Sequence, residues 1–347
     1  MSRTFLPEWT PLDAVMITWP YEGSDWTPWL AEVDRCYLGL LATITRHSRA
    51  LVLCHPSIDV ASLRDRCAEA GIALKNCRFE SIRVDDTWVR DYGPITVTSP
   101  DGRLKLLDFR FNAWGGKYSA SADDAVNGEL ARRGVFKAPL ESVPFVLEGG
   151  AIDSDGNGHL LTTEYCLMNS SRNPDLSRDA VTARLAEYLG VCQVHWLQSG
   201  HLAGDDTDSH VDTLARFCSS DTIAYASCDD PDDVHYEPLQ AMAAELAQLR
   251  TRAGRSYRLL PLPLPAPMYG PEGKRLPATY ANFLVVNGAV LVPVYGCPQD
   301  DVALQTLKTA FPEHVIEPVD CAVLVQQFGS LHCATMQLPR GVYAHVE

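Results

Sequence analysis

Apolar positions along the first quarter of the chain follow two patterns, which together predict a mixed α/β fold. Short continuous apolar runs bounded by polar residues predict buried strands. Longer stretches with apolar residues three and four positions apart predict amphipathic helices, and Pro28 suits the first turn of the first helix. The strands are predicted at Asp13–Pro20, Ala50–Cys54 and Cys77–Val84, and the helices at Asp25–His47 and Ala61–Ala70.

A strand–turn–strand pattern recurs along the rest of the chain, with helical patterns between the copies. Polar residues accompanying successive units, from Asp91 to Cys333, are 57, 62, 72 and 51 residues apart. A period of roughly 60 residues predicts a circular array of repeats facing a common axis. We expect one domain over residues 1–347, because no linker divides it. Four of the units are predicted as hairpins at Arg83–Phe109, Pro144–Thr163, Ser209–Ala226 and Ala278–Val294, and the fifth unit as the strand at Val323–Gln337. Helices are predicted at Ala120–Arg133, Ser177–Leu189, Asp232–Arg252 and Gln299–Phe311, and a surface loop or sheet edge at Leu259–Pro271.

Composition and charge exclude several classes of function. The chain has 29 basic and 44 acidic residues, and the net charge of −15 argues against a nucleic-acid partner and favours a cationic small molecule. No run approaches the ~18 apolar residues of a membrane span, and the first residues lack an apolar export signal, so we expect a cytoplasmic protein away from membranes. The eleven cysteines are scattered and never spaced C-x-x-C, which predicts reduced thiols rather than a disulfide framework or a zinc cage.

The candidate nucleophile is Cys333, within the sequence Q-F-G-S-L-H-C-A-T-M-Q. A thiol close to Gly329 and Ser330, where the backbone can approach a ligand, is a better candidate than a thiol inside an apolar run. The alternative is a small buried side chain without chemistry, which is the usual role of a free cysteine.

A second candidate is the stretch G-D-D-T-D-S-H-V-D at Gly204–Asp212. On a strand, His210 and Asp212 would face the same way, and a histidine beside a carboxylate suits proton transfer. The aspartates do not fit the EF-hand spacing, so we expect no metal ion here. The alternative is a loop whose Asp205, Asp206 and Asp208 form turns and caps.

The stretch V-D-D-T-W-V-R-D-Y-G-P places Trp88 three residues before Asp91. This is not strand spacing, so the backbone must bend for both side chains to face one ligand. An indole face and a carboxylate suit a planar guanidinium, through stacking and paired hydrogen bonds. The alternative is a core tryptophan with a surface Arg90–Asp91 pair.

Double glycines follow two apolar runs, in F-N-A-W-G-G-K and V-L-E-G-G-A. In the second, Glu148 comes directly after apolar residues, where an acid is out of place unless it is paired or functional. The alternative is an ordinary turn with Glu148 in solvent. Because carboxylates outnumber neutral partners in the candidate set, the set favours a cationic substrate.

These motifs, taken together, resemble the agmatine deiminases and bacterial-type peptidyl-arginine deiminases, and the resemblance covers nearly the whole chain. It implies the pentein fold, an α/β propeller of five pseudo-symmetric ββαβ-type units around a central site. The motifs are Trp19-Pro20, Thr87–Pro94, Phe111–Gly116, Leu147–Gly150, Ser171–Pro174, Gly204–Asp212, Tyr280–Pro293 and His332–Pro339.

The resemblance also implies roles for individual residues. Cys333 corresponds to the nucleophile and His210 to the general acid and base. Asp91 and Asp212 would bind the guanidinium nitrogens, with Glu148 supporting the guanidinium and the histidine. The substrate-binding residues would be Trp88, Asn282 and Trp114. The net charge of −15 and the aspartates of these loops further predict a negative entrance that favours a dication, with Asp206 or a near neighbour by the amine end of the substrate; the aspartates are Asp86, Asp205, Asp206 and Asp208.

The implied reaction converts agmatine to N-carbamoylputrescine and ammonia through a covalent cysteine amidino-thioether, in putrescine biosynthesis, without metal or cofactor. The same chemistry serves deimination of arginine or peptidyl-arginine, which stays open, as do an amidinotransferase and a non-catalytic binding module. A homodimer is also left open. Ser209, where the family usually has glycine, and Gly329–Leu331 depart from the common pattern and leave the fine substrate preference open.

Overall fold

The computed structural model describes residues 3–344, and its strands form five β-sheets. The strands are β1 (Thr4–Phe5), β2 (Leu12–Trp19), β3 (Arg49–Cys54), β4 (Cys77–Ser81), β5 (Ile95–Thr98), β6 (Leu104–Arg110), β7 (Leu140–Val146), β8 (Ile152–Ser154), β9 (His159–Thr163), β10 (Gln193–Leu197), β11 (Ala215–Ser219), β12 (Thr222–Ser227), β13 (Arg258–Pro263), β14 (Leu284–Val286), β15 (Ala289–Val294), β16 (Val315–Asp320) and β17 (Met336–Pro339). The helices are α1 (Leu30–His47), α2 (Val60–Glu69), α3 (Val89–Tyr92), α4 (Ala113–Gly116), α5 (Val126–Arg132), α6 (Glu164–Leu167), α7 (Arg178–Leu189), α8 (Tyr236–Gln248) and α9 (Gln299–Ala310), and 3-10 turns cover Thr27–Trp29, Leu74–Asn76, Asp123–Ala125, Gly149–Ala151, Val211–Thr213 and Leu324–Gln327.

Each sheet contains an antiparallel pair followed by a parallel strand. Three sheets are β8-β9-β10, β11-β12-β13 and β14-β15-β16, and a fourth adds β1 to β5-β6-β7. In the fifth sheet, of order β17-β2-β3-β4, the C-terminal strand pairs antiparallel with β2, so the two ends of the chain meet there. Each parallel step needs a crossover, and the helices α1, α2, α5, α7, α8 and α9 each lie in one of these crossovers.

Local sequence explains why these elements begin and end where they do. The Ser177 side chain accepts the Ala180 N–H at the start of α7, and Gly190 ends that helix with φ of 72°. Every residue of β2 after Asp13 is buried, as are all but the first residue of β3. Strands covered on both faces in this way carry the continuous apolar runs from which they were predicted.

The mixed α/β prediction and most helix bounds are confirmed, with differences concentrated near the candidate residues. The predicted strand at Val323–Gln337 is wrong over most of its length, because a 3-10 turn and a loop precede β17. The strand predicted from Ala278 begins only at Leu284. The proline-rich stretch predicted as a loop or an edge begins with β13, an edge strand, where prolines are tolerated.

No helix within residues 3–344 is long and apolar enough to cross a membrane.

Candidate active site

Cys333 lies in the loop before β17, and one side-chain amide holds this loop. Asn282 Oδ1 accepts hydrogen bonds from the backbone N–H of His332 at 2.8 Å and of Cys333 at 3.3 Å. The Nδ2 of the same amide donates to Cys333 Sγ at 3.3 Å. Asn282, predicted to line the site, therefore fixes both the backbone and the sulfur of the buried Cys333.

The same loop packs tightly against Trp88. A Cβ on Gly329 would lie 2.5 Å from the Trp88 ring, so only glycine allows this approach. The indole packs against Trp26, with ring centroids 5.7 Å apart, and it is 5% exposed. Ser330, one of the departures from the family pattern, is buried with its hydroxyl 2.8 Å from that of Tyr295.

Asp91 lies on the short helix α3, and its separation from Trp88 is about one helical turn, which supplies the predicted backbone bend. Its Oδ1 accepts the Gly150 N–H at 2.9 Å, and its Oδ2 accepts Nε1–H of Trp114 at 2.9 Å. Trp114, predicted to bind substrate, therefore also orients Asp91. The alternative of a surface Arg90–Asp91 pair is wrong, because both side chains are buried.

His210 and Asp212 do not lie on a strand, and the reason given for their shared direction is therefore wrong. Val211–Thr213 forms a 3-10 turn. Before it, Asp208 and Ser209 have φ of 65° and 64°, a left-handed conformation that interrupts an extended chain. Such a conformation favours glycine, which is the residue the family usually has in place of Ser209.

Three ionisable side chains nevertheless converge, and they do so on Gly150. A Cβ at Gly150 would lie 2.7 Å from His210 Nδ1, 2.8 Å from Asp91 Oδ1 and 3.1 Å from Asp212 Oδ2. His210 Nδ1 lies 3.6 Å from Asp91 Oδ1, and Cys333 Sγ lies 3.6 Å from Asp212 Oδ2. Gly150, from the double glycine predicted at a strand end, therefore lies where these side chains come together, and its lack of a Cβ leaves room for them.

Several polar atoms at this centre lack partners. Neither ring nitrogen of His210, nor Oδ1 of Asp212, has a hydrogen-bond partner within the described range 3–344, although both side chains are fully buried. An unpaired buried polar group costs about 1–3 kcal/mol, so these atoms make the centre a candidate position for a polar ligand.

Glu148 is fully buried, so the alternative of a solvated turn residue is wrong. Both of its oxygens accept hydrogen bonds from Nε of Arg172, at 2.8 and 3.0 Å. Arg172 also donates to Asp208 Oδ2 at 2.7 Å and thereby ties Glu148 to the turn that carries His210. Arg172 was missed as a site residue, although it belongs to the Ser171–Pro174 motif.

Glu148, Cys166 and His210 also form a cluster whose potential metal-ligating atoms lie within 4.8 Å of one another. The Arg172 guanidinium already supplies a positive charge to both Glu148 oxygens. A cation bound beside it would have to displace that ion pair, so this donor set fits a metal poorly.

A narrow pocket leads from the surface to Cys333, and all the aromatic residues predicted for the site border it. Three carboxylates also line it, while its described lining contains no basic residue. Its volume is about 20 Å³, which holds a water, so a larger ligand requires lining side chains to move. The lining residues are Asp25, Asp86, Trp88, Trp114, Tyr118, Asp206, Thr207, Gln327, Phe328, Gly329 and Cys333.

The aspartates predicted to form a negative entrance divide into two groups. Asp86 and Asp206 line the pocket, and Asp206 Oδ2 accepts the Tyr118 hydroxyl at 2.8 Å. Asp205 instead accepts the backbone N–H of Ser209 at 2.7 Å, and Asp208 pairs with arginine. These last two stabilise the turn and do not serve as entrance charges.

Burial is the largest single influence on the pKa values of the site residues. It raises the pKa of Cys333 well above its ordinary value, and the charges of Asp212 and Asp91 add to the effect. Burial also raises the pKa of Asp91 and lowers that of His210 to about 3. Burial alone would raise the pKa of Asp212, but the hydrogen bond and charge of His332 outweigh it and hold that pKa below its usual range. The ligand-free site therefore contains a Cys333 thiol and a neutral His210 imidazole beside an ionised Asp212.

The fold is that of the deiminases. The family described as Porphyromonas-type peptidyl-arginine deiminase matches residues 4–339, and the chain belongs to that family.

Individual relatives are similar over almost their whole length. An agmatine deiminase of Stutzerimonas stutzeri is 33% identical, over 96% of this chain and 94% of that protein. The structure of C. jejuni agmatine deiminase with substrate bound is 40% identical, with a TM-score of 0.89, and covers 98% of this chain and 97% of that one. A Porphyromonas gingivalis structure provisionally named an arginine deiminase is 44% identical, with a TM-score of 0.92 over 99% of this chain and 100% of that one.

Proposed function

We propose that this protein is an agmatine deiminase, which hydrolyses agmatine to N-carbamoylputrescine and ammonia in putrescine biosynthesis. The observation that carries the proposal is the position of Cys333 at the end of a pocket lined by carboxylates, with Asp212 Oδ2 3.6 Å from its sulfur. Asp212 Oδ1 and both ring nitrogens of His210, in the same cluster around Gly150, are unpaired within residues 3–344. A dication with one guanidinium and one amine matches this distribution of charge.

In the first step, Asp212 and Asp91 bind the guanidinium nitrogens and hold its carbon near Cys333 Sγ. Oδ1 of Asp212 is free to accept an N–H, because only Oδ2 is bonded to His332. The bound cation neutralises the charge that raises the thiol pKa, so substrate binding itself favours the thiolate.

His210 is neutral in the free site, but its lowered pKa also makes it a weak base. The thiol proton therefore moves to His210 only as the sulfur bonds to the guanidinium carbon, so that bond formation drives the transfer. The resulting imidazolium protonates the departing nitrogen as the C–N bond breaks. Ammonia leaves and an amidino-thioether remains on Cys333. Asp91 and Asp212 stabilise the charge of the tetrahedral carbon in this step.

Water completes the reaction from the side that ammonia has left. His210 accepts a proton from the water as its oxygen adds to the amidino carbon. Collapse of this adduct breaks the C–S bond, returns the sulfur as thiolate and releases the ureido product. Glu148 serves this step indirectly, since Arg172 links it to the turn that carries His210.

The architecture proposed with this function is a pentein propeller, with five pseudo-symmetric ββαβ-type repeats around the site in one catalytic domain over residues 1–347. The common pattern of an antiparallel pair followed by a parallel strand in each of five sheets supports it. So does the origin of the site residues, since Asp91, Glu148, His210, Asn282 and Cys333 each come from a segment next to a different antiparallel pair.

Deimination of arginine or peptidyl-arginine is the second candidate, and the 44% identical Porphyromonas gingivalis relative favours it. Arginine carries an α-carboxylate, which would face Asp25, Asp86 and Asp206 with no basic residue in the described lining. The pocket therefore favours agmatine by charge.

Ammonia release from agmatine, arginine and arginine-containing peptides, measured in parallel, tests the proposal. We expect kcat/KM to be highest for agmatine. A higher value for arginine or a peptide would replace the first candidate by the second.

The Cys333→Ser variant tests the mechanism in the same assay. An alcohol is a far weaker nucleophile than a thiolate at neutral pH, so we expect turnover to fall by roughly 10³-fold or more while the protein stays folded and binds agmatine. Cys192→Ser, at an exposed thiol, is the matched control and should keep full activity. Undiminished turnover in Cys333→Ser would exclude the covalent route.

A further inference from the structure

Three side chains form a line that runs from the Cys333 loop to the segment between β1 and β2. His332 stands in the middle, with its Nδ1 2.7 Å from Asp212 Oδ2 and its Nε2 2.5 Å from Glu8 Oε1. His332 is 1% and Asp212 0% exposed, and the Glu8 side chain is 15% exposed. Water therefore contributes little to these two contacts.

The two short contacts require two protons. A neutral imidazole has one N–H and one lone pair, and a carboxylate has only lone pairs. With both acids ionised and the imidazole neutral, one of the contacts would set two lone pairs against each other. The line therefore contains either an imidazolium or a protonated carboxyl group.

The surroundings of Glu8 decide between these two forms. Its Oε2 accepts a hydrogen bond from Arg216 and another from Gln337 Nε2 at 2.9 Å, and Arg90 lies 3.4 Å from its Oε1. Burial would raise the pKa of Glu8, but Arg216, His332 and Arg90 outweigh it and hold that pKa well below the usual range. Glu8 is thus a carboxylate. Burial would raise the pKa of Asp212, but the hydrogen bond and charge of His332 hold it below its usual range, so Asp212 is a carboxylate too and the second proton belongs to the imidazole.

We infer that His332 is an imidazolium held between two carboxylates, and that with Glu8 it is a positioning residue for Asp212. The bridge commits Oδ2 of Asp212 to His332 and leaves Oδ1 for the substrate. It also keeps Asp212 ionised beside the thiol. The charge state of the bridge stands on its own geometry, whereas its effect on turnover rests on the proposed function.

The groups that face His332 affect its pKa in opposite directions. Burial, Arg216 and Arg90 lower the pKa of His332, whereas Glu8 and Asp212 raise it, and the net effect is a lowering. Against that direction stand the short contacts of both ring nitrogens with carboxylates, which need the second proton whatever the burial of the ring. Removal of the Glu8 charge takes away one of the two influences that raise this pKa, together with one of the two contacts that need a proton on the ring. His332 should then become neutral, and the pKa of Asp212 should rise.

Nitrogen NMR of protein labelled with ¹⁵N in the histidine rings tests the charge state without any assay of activity. At pH 7.5 we expect His332 to show two protonated ring nitrogens, assigned by their loss in His332→Gln. In Glu8→Gln the same ring should show one protonated and one lone-pair nitrogen. That change also assigns the signals if His332→Gln fails to fold. One protonated nitrogen in the unaltered protein would overturn the inference, whatever the substrate.

Kinetics of Glu8→Gln test the effect on Asp212. We expect kcat/KM for agmatine to fall about 10- to 100-fold, as for a lost contact to a charged group, and the acid limb of the pH profile to move to higher pH. Glu317→Gln is the matched control, since Glu317 bonds His47 Nε2 at 2.9 Å outside the pocket. It should leave the profile unchanged.

The pH profile separates positioning from a general loss of structure. A variant with fewer folded molecules would show lower kcat at every pH, with the acid limb in its original place. Such a result, or unaltered kinetics, would overturn the positioning role. Failure of the proposed function would instead appear as absent agmatine turnover in the unaltered protein, with the NMR result standing.

Discussion

The surroundings of Cys333 disfavour the thiolate form of its side chain. Asp212 and Asp91 lie beside a sulfur that is also removed from water, and all three effects raise its pKa. His210 cannot compensate, because burial lowers its pKa to about 3 and leaves it uncharged at neutral pH. In the proposed mechanism the guanidinium of the substrate supplies the missing positive charge, so the reactive state belongs to the complex and not to the free protein.

Alkylation of the free protein by iodoacetamide measures this directly. Because the pKa of Cys333 is raised, its thiolate fraction is small at neutral pH and grows as pH increases. We expect the alkylation rate, followed by peptide mass spectrometry, to keep rising through about pH 9. Cys192, an exposed thiol in the same digest, controls for the reagent. A plateau near pH 6 to 7 would mean a preformed thiolate–imidazolium pair and contradict the expectation.

The carboxylates that line the pocket would bind the amine end of the proposed substrate, away from the guanidinium. Burial raises the pKa of Asp86 to about 7, and the charges of Asp25 and Asp206 contribute. Burial likewise raises the pKa of Asp206, although the Tyr118 hydrogen bond opposes it. Acids that repel one another in this way are stabilised by a bound cation, which is what the amine end of agmatine provides.

Asp206→Asn tests this assignment with two substrates. Removal of one contact to a charged group should cost about 1.5–3 kcal/mol in kcat/KM for agmatine. Butylguanidine has the same guanidinium and no distal charge, so it should lose little. Asp101→Asn, at an exposed turn, is the control for a lost surface charge. Equal losses with both substrates would assign Asp206 to the fold or to the guanidinium end.

At the scale of the element, short irregular segments rather than strands deliver the reactive groups. Asp91 lies on α3, Asp212 on a 3-10 turn, and Cys333 in a loop, while Gly150 lies on another 3-10 turn between them. The sheets supply the fixed ends of these segments, and buried hydrogen bonds from residues such as Asn282 set their shape. Small changes of volume at these positions should therefore affect chemistry before they affect the fold.

Gly150→Ala is the sharpest such change. Its Cβ would lie 2.7 Å from His210 Nδ1 and 2.8 Å from Asp91 Oδ1, so at least one of these groups has to move. Overpacking costs about 1–3 kcal/mol, and we expect a loss of kcat/KM of at least that size with a smaller change in melting temperature. Gly128→Ala, on α5 with no atom within 4 Å of the added Cβ, is the matched control. Full activity in Gly150→Ala would show that the centre has room to adjust.

The limits of sequence reasoning also lie at this scale. Hairpins and amphipathic helices could be predicted because local periodicity and turn residues determine them, as in β15 and α7. The C-terminal loop could not, because the Asn282 amide and the Trp88 ring that shape it are distant in sequence. Arg172 and Glu8 look like surface charges in the sequence, and only burial against their partners distinguishes them.

At the scale of the whole molecule, an early and a late segment of the described residues 3–344 meet at the candidate site. β17 pairs with β2, and the segment between β1 and β2 carries Glu8, which reaches the Cys333 loop through His332. The first and last elements therefore contribute to the same centre. The repeat spacing predicted a common axis for these residues, but the charged bridge between the ends had no signal in that spacing.

The net charge of −15 acts over the whole surface and should be visible in the salt dependence of catalysis. A negative protein attracts a dication more strongly than a monocation, and added salt screens this attraction as the Debye length falls from about 30 Å at 0.01 M to about 10 Å at 0.1 M. We expect kcat/KM for agmatine to fall with ionic strength more steeply than kcat/KM for butylguanidine, with kcat nearly constant for both. Because Asp206→Asn removes only one of many charges, it should keep most of the salt dependence while lowering the value at every ionic strength. Equal slopes for the two substrates would mean that the surface charge has no part in agmatine capture, and that any preference for the dication arises within the pocket alone.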